Sequence, residues 1–239
     1  KQRRAAAQTA AAEAEQKRLK LKEAADEEAR KKVAAGAAAE VEKRLMEEAK
    51  RSPFGPRLLD SANPEAQVKA AGEIAFNAND PEHAFKKTCS SNGTVPALTK
   101  ALGDTTNDRV REKVCGAIAN ITSNCTEVKA ACIKFGSEKV ITVVLETTKD
   151  DRVREHACLA INNIAASDEG RAACVDAGAP AAIISVLQAT KDDQVMLNGV
   201  GALVNTAFNP GPVLVNRDNA LALLNNSEAM AQLDRVNAL

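Results

Sequence analysis

The 239-residue chain contains no tryptophan and no tyrosine, and aromatic residues make up only 2% of it. Any core must be built from Ala, Val, Ile and Leu, side chains that let helices approach closely. No stretch reaches the ~18 uninterrupted apolar residues of a membrane-spanning helix, and no signal-peptide pattern is visible. Neither sign of charge dominates, since Lys plus Arg and Asp plus Glu both number 32. A partner drawn by bulk charge, such as nucleic acid, is therefore not expected. There are two histidines, no Gly-rich phosphate loop, and no His, Cys and carboxylate set at metal-ligand spacing. These absences predict a protein without enzymatic activity, metal or cofactor, whose partners are other proteins.

The neutrality conceals a split. Residues 1–52 hold 14 Lys/Arg against 10 Asp/Glu, with 16 Ala, no Pro and a single Gly. This composition predicts a long charged, Ala-rich helix. Acids stand four residues before bases at Glu13/Lys17, Asp26/Arg30, Glu27/Lys31, Glu28/Lys32, Glu40/Arg44 and Glu47/Arg51, the stabilising order. Ala34, Ala38, Val41 and Leu45 fit a coiled-coil seam, but Lys20, Glu27 and Lys31 break it upstream. The segment thus reads as a solvated strut, able to dock along a long helical or filamentous neighbour. Residues 53–62, with Pro53, Gly55 and Pro56, read as a linker.

From residue 63 to 239 one unit recurs. Asn77, Asn120, Asn163 and Asn205 are spaced 43, 43 and 42 residues apart, in settings such as Gly-Ala-Ile-Ala-Asn-Ile (116–121) and Leu-Ala-Ile-Asn-Asn-Ile (159–164). A period in the forties signals stacked helical units, about four here. Segments 107–122, 150–165 and 192–207 carry apolar residues at helical spacing. Thr106-Asn107-Asp108, Thr148-Lys149-Asp150-Asp151 and Thr190-Lys191-Asp192-Asp193 supply capping chemistry for each. Segment 63–79 is a degenerate first copy. Gly93, Gly136 and Gly178 recur in phase, each four residues after Cys89, Cys132 or Cys174. They mark a corner between a short helix and the next one. The periodic cysteines, with Cys115 and Cys158 equivalent to Val200, read as small buried apolar groups, which predicts free thiols and a reducing, cytoplasmic compartment.

The run Val-Asp-Ala-Gly-Ala-Pro-Ala-Ala-Ile-Ile-Ser-Val-Leu (175–187), followed by Ala-Leu-Val-Asn-Thr-Ala (202–207), resembles the armadillo repeat. The resemblance covers residues 63–239 and is carried best by units 80–122, 123–165 and 166–207. It implies an all-α, right-handed superhelical solenoid and a groove lined by the repeating asparagines. In the importin-α members a Trp stands four residues before the groove Asn. Here those places hold Glu73, Gly116, Leu159 and Gly201, which weighs against a nuclear-import adaptor.

Residues 4, 7 and 11 before each Asn share its helical face. The candidate protein-binding residues are therefore Asn77, Asn120, Asn163 and Asn205 with Arg109, Lys113, Arg152 and His156. Two functions compete. One is a structural component of a cytoskeletal or ciliary assembly, docked through residues 1–52. The other is an adaptor that takes an extended acidic segment along Arg109, Lys113 and Arg152.

Overall fold

The computed structural model describes residues 2–80 and 83–207. Residues 208–239, the last part of the solenoid expected over 63–239, lie outside the described residues. The described residues are helical with no strand among them, and the chain divides into two compact units between Arg44 and Leu45.

The first unit is carried by α1 (Gln2–Ala49), whose residues 45–49 belong to the second. Every described side chain from Lys20 to Arg44 is exposed, including Val33 and Val41. Glu27 pairs with Lys31 at 3.4 Å and Glu28 with Lys32 at 3.7 Å. Such pairs contribute about 0.2–0.5 kcal/mol each, so alanine propensity does most to favour the helix.

In the second unit, the start of the repeat array differs from the sequence-based expectation. The solvated helix was expected to run to residue 52 and the linker to follow. Instead Ala49, Ser52, Phe54 and Leu58 are buried, and α2 (Gly55–Leu58) forms inside the expected linker. The Ser52 and Thr94 hydroxyls share a hydrogen bond of 3.0 Å. Ser52 lies 42 residues before Thr94, the repeat period. The chain from Leu45 thus contributes to a partial repeat completed by α3 (Pro64–Asn77).

Three full repeats follow. They comprise α4 (Ala84–Ser91), α5 (Thr94–Asp104) and α6 (Asp108–Thr122); α7 (Thr126–Phe135), α8 (Ser137–Thr147) and α9 (Asp151–Ile164); and α10 (Asp168–Asp176), α11 (Ala179–Ala189) and α12 (Asp193–Ala207). The long helices α3, α6, α9 and α12 pack successively side by side, and so do α5, α8 and α11. Between them lie Ile74, Leu98, Ile118, Ile141, Ile161, Ile183 and Leu203, all fully buried. Burying one such side chain stabilises by about 1.5–3 kcal/mol.

The corners use the in-phase glycines, which adopt φ of 88°, 72° and 79° at Gly93, Gly136 and Gly178. This left-handed region is costly for residues with a Cβ. At Gly93 a Cβ would also stand 2.3 Å from the Glu48 carbonyl oxygen. Each long helix starts on a side-chain cap. Asn107 Oδ1 accepts from the Arg109 and Val110 amides, Asp150 from Arg152 and Val153, and Asp192 from Gln194 and Val195. One hydroxyl precedes each cap: Thr105, Thr148 and Thr190 accept from the amide two residues on. Thr105 rather than Thr106 fills this role in the first repeat, because 105 is in register with 148 and 190.

Candidate functional site

The repeating asparagines are brought into one series by the packing of the long helices. Asn120 Nδ2 donates to the Ala75 carbonyl at 3.3 Å, and Asn163 Nδ2 to the Ala119 carbonyl at 2.9 Å. Asn205 Nδ2 reaches both the carbonyl (3.0 Å) and the side-chain oxygen (2.7 Å) of Asn162. Each of these amides ties its helix to the preceding long helix. Asn77, on the first long helix, is exposed. The half-buried carboxamides of Asn120 and Asn163 each retain a second N–H, and all three retain oxygen lone pairs, so tying repeats together does not exhaust their hydrogen-bonding capacity.

The basic residues on this face differ in their surroundings. Arg109 is exposed and pairs through Nη1 with Glu65, which projects from α3. Lys113 pairs with Glu112 at 2.8 Å. Arg152 is exposed and has no side-chain partner among the described residues. The carboxylate in register with Glu65 is Asp108, and it is occupied. Asp108 accepts from Thr148 Oγ1 at 3.4 Å and pairs with Arg111 at 3.5 Å. Asp151 repeats this arrangement, accepting from Thr190 at 3.4 Å and pairing with Arg154 at 2.9 Å. Among the described residues, Arg152 is thereby left as the free guanidinium of the row.

His156 is half-buried. A backbone carbonyl can only accept, so its Nδ1–H donates to the Arg152 carbonyl at 2.8 Å. Its ring lies over Gly116, where an added Cβ would approach Cδ2 to 2.8 Å. Gly201 similarly lies under the Asn162 carboxamide, 3.4 Å from where its Cβ would be. The first of the four positions four residues before an Asn, Glu73, is clamped by Arg57 through two bonds of 2.8 and 2.7 Å. The Arg57 hydrogen bond holds the Glu73 carboxyl below the usual carboxylate range. Polar groups therefore occupy three of these four places, and the half-buried Leu159 holds the other.

Two elements of the site escape a local reading of the sequence. The Glu65–Arg109 pair spans 44 residues and is found only by laying the repeats in register. Lys86 and Arg171, at equivalent positions, cap the ends of long helices: Lys86 Nζ donates to the Ser123 carbonyl and Arg171 Nε to the Asn205 carbonyl, both at 2.8 Å. Cations there complement the negative end of the helix dipole.

Among the described residues no group of three or more His, Cys, Asp or Glu could hold a metal ion, and no single helix is long and apolar enough to cross a membrane. All six cysteines are free and buried. Burial pushes the thiols of Cys89, Cys115, Cys132, Cys158 and Cys174 up to about 12.

No protein-family profile and no curated protein matches the chain. Solved structures do. An engineered protein is 28% identical, with a TM-score of 0.64, over 79% of this chain and 75% of that one. A computationally designed armadillo repeat protein for modular peptide recognition is 23% identical at a TM-score of 0.61, covering 79% and 78%. A designed armadillo repeat protein in complex with the peptide (KR)4 is 20% identical at 0.59, covering 81% and 88%. With three-helix repeats, left-handed glycine corners and an asparagine series in common register, the chain has an armadillo-like repeat fold.

Proposed function

We propose that the chain is a non-enzymatic protein-binding scaffold, and within that class a structural component of a large cytoskeletal or ciliary assembly in the cytoplasm. The observation that supports this reading is α1. It is 48 residues long, about 70 Å at 1.5 Å per residue, and its described side chains are exposed through Arg44. A helix with that much unburied length suits lateral docking on a long helical or filamentous neighbour. The test is detergent fractionation of cells expressing the full chain or a deletion of residues 1–44. The reading expects the full chain in the insoluble cytoskeletal fraction and the deletion in the soluble one. A full chain that is entirely soluble contradicts it.

A second reading is favoured by Arg152. The designed relative bound to (KR)4 takes a basic peptide. Here the row Arg109, Lys113 and Arg152 is basic, and Arg152 has no acidic partner among the described residues. An extended acidic segment fits such a row, since a guanidinium binds a carboxylate through two parallel hydrogen bonds. Titration with labelled (DE)4 and (KR)4 peptides distinguishes the two charge preferences. Arg152→Glu is expected to weaken (DE)4 binding at low salt; equal binding of both peptides to wild type and variant overturns this reading.

A further inference from the structure

Glu138 is the second residue of α8, and only 2% of it is exposed. Its Oε2 is buried without a hydrogen-bond partner. In register with it stand Val95 of α5 and Pro180 of α11, both buried. The array keeps this position apolar in the flanking repeats, and the middle repeat fills it with a carboxyl. Cys132 of α7 and Cys174 of α10 face it. Lys139, its neighbour on α8, and its own backbone N–H favour the charged form, but burial outweighs both and raises the carboxyl above the usual carboxylate range. The remaining packed elements add little charge. Helix α11 has no titratable side chain, Lys100 and Asp104 of α5 pair with each other at 2.6 Å, and Asp151 of α9 is held by Arg154.

We propose that Glu138 makes the junction between the α7–α9 and α10–α12 repeats a pH-sensitive seam, tightest when its carboxyl is protonated. A dry carboxylate oxygen with no donor is costly, and local opening of the α7–α8 corner would relieve it by admitting water. The folded protein holds this proton more tightly than the unfolded chain does. The stability it confers is therefore complete below the unfolded value, ~4.3, and is lost as pH rises through the raised folded value. The two facing thiols stay neutral across that range.

Hydrogen-exchange mass spectrometry on the whole chain at about pH 5 and about pH 8, corrected for intrinsic exchange, tests the proposal across that window. Peptides covering the α7–α8 corner and α10 are expected to open severalfold more readily at the higher pH, while α4–α6 does not change. Glu138→Val, which installs the residue used in register at position 95, and the isosteric Glu138→Gln are both expected to abolish the difference. The proposal is overturned if either folded variant retains the wild-type pH dependence, or if the opening is spread equally over all repeats.

Discussion

Replacing Asn163 by Ala removes the 2.9 Å bond that ties α9 to the Ala119 carbonyl of α6. That carbonyl is not orphaned by the change. It still accepts from the Ser123 amide at 3.2 Å and from Thr122 Oγ1 at 3.0 Å. The loss is therefore one net neutral hydrogen bond, about 0.5–1.5 kcal/mol, without the larger cost of a stranded acceptor. For a chain of this size each 1 kcal/mol lowers Tm by about 2–4 °C. Far-ultraviolet circular dichroism is the natural readout, because the chain has no Trp or Tyr to report by fluorescence. Asn77→Ala serves as the control, since Asn77 is exposed on the first long helix and should leave Tm unchanged. If Asn163→Ala melts with the wild type but binds a partner less tightly, the inter-repeat tie contributes nothing measurable and the side chain serves the ligand.

Three further outcomes are expected. Deleting residues 1–44 should leave the repeat unit's Tm nearly intact, whereas deleting 1–52 should lower it, because Ala49 and Ser52 are buried there; equal melting of the two deletions contradicts the partial-repeat assignment. Gly93→Ala should destabilise more than Gly178→Ala in denaturant titrations. Both pay the left-handed cost of about 1–2 kcal/mol, but only Gly93 would also drive a Cβ to 2.3 Å from a backbone oxygen. Stability should fall as pH rises above about 8.5, because the unfolded thiols then ionise while the folded ones stay protonated up to about 12. A flat unfolding profile there would show that the thiols are not buried.

The repeat itself was legible because its signals are local and periodic. Asn120, Gly136 and Asp150 each announce a helix end or face within a few residues, and copies 42 or 43 residues apart reinforce one another. The entry to the array was not legible. Pro53, Gly55 and Pro56 carry ordinary linker chemistry, and only the distant Thr94 and the Glu48–Gly93 approach fold them into a repeat. The basic row Arg109, Lys113 and Arg152 was inferred from helical geometry. The Glu65 partner of Arg109 was not, since it lies 44 residues away, and neither was the occupation of Asp108, the corresponding acid for Arg152, by Thr148 and Arg111.

Cross-linking mass spectrometry on native complexes tests the scaffold reading most directly. The account predicts links to partner proteins from Lys31, Lys32 and Lys43 on α1, joined by Lys69 and Lys113 on the exposed face of the long helices. Links to partners only from Lys87, Lys134, Lys139 and Lys149, with none from those five, would contradict it.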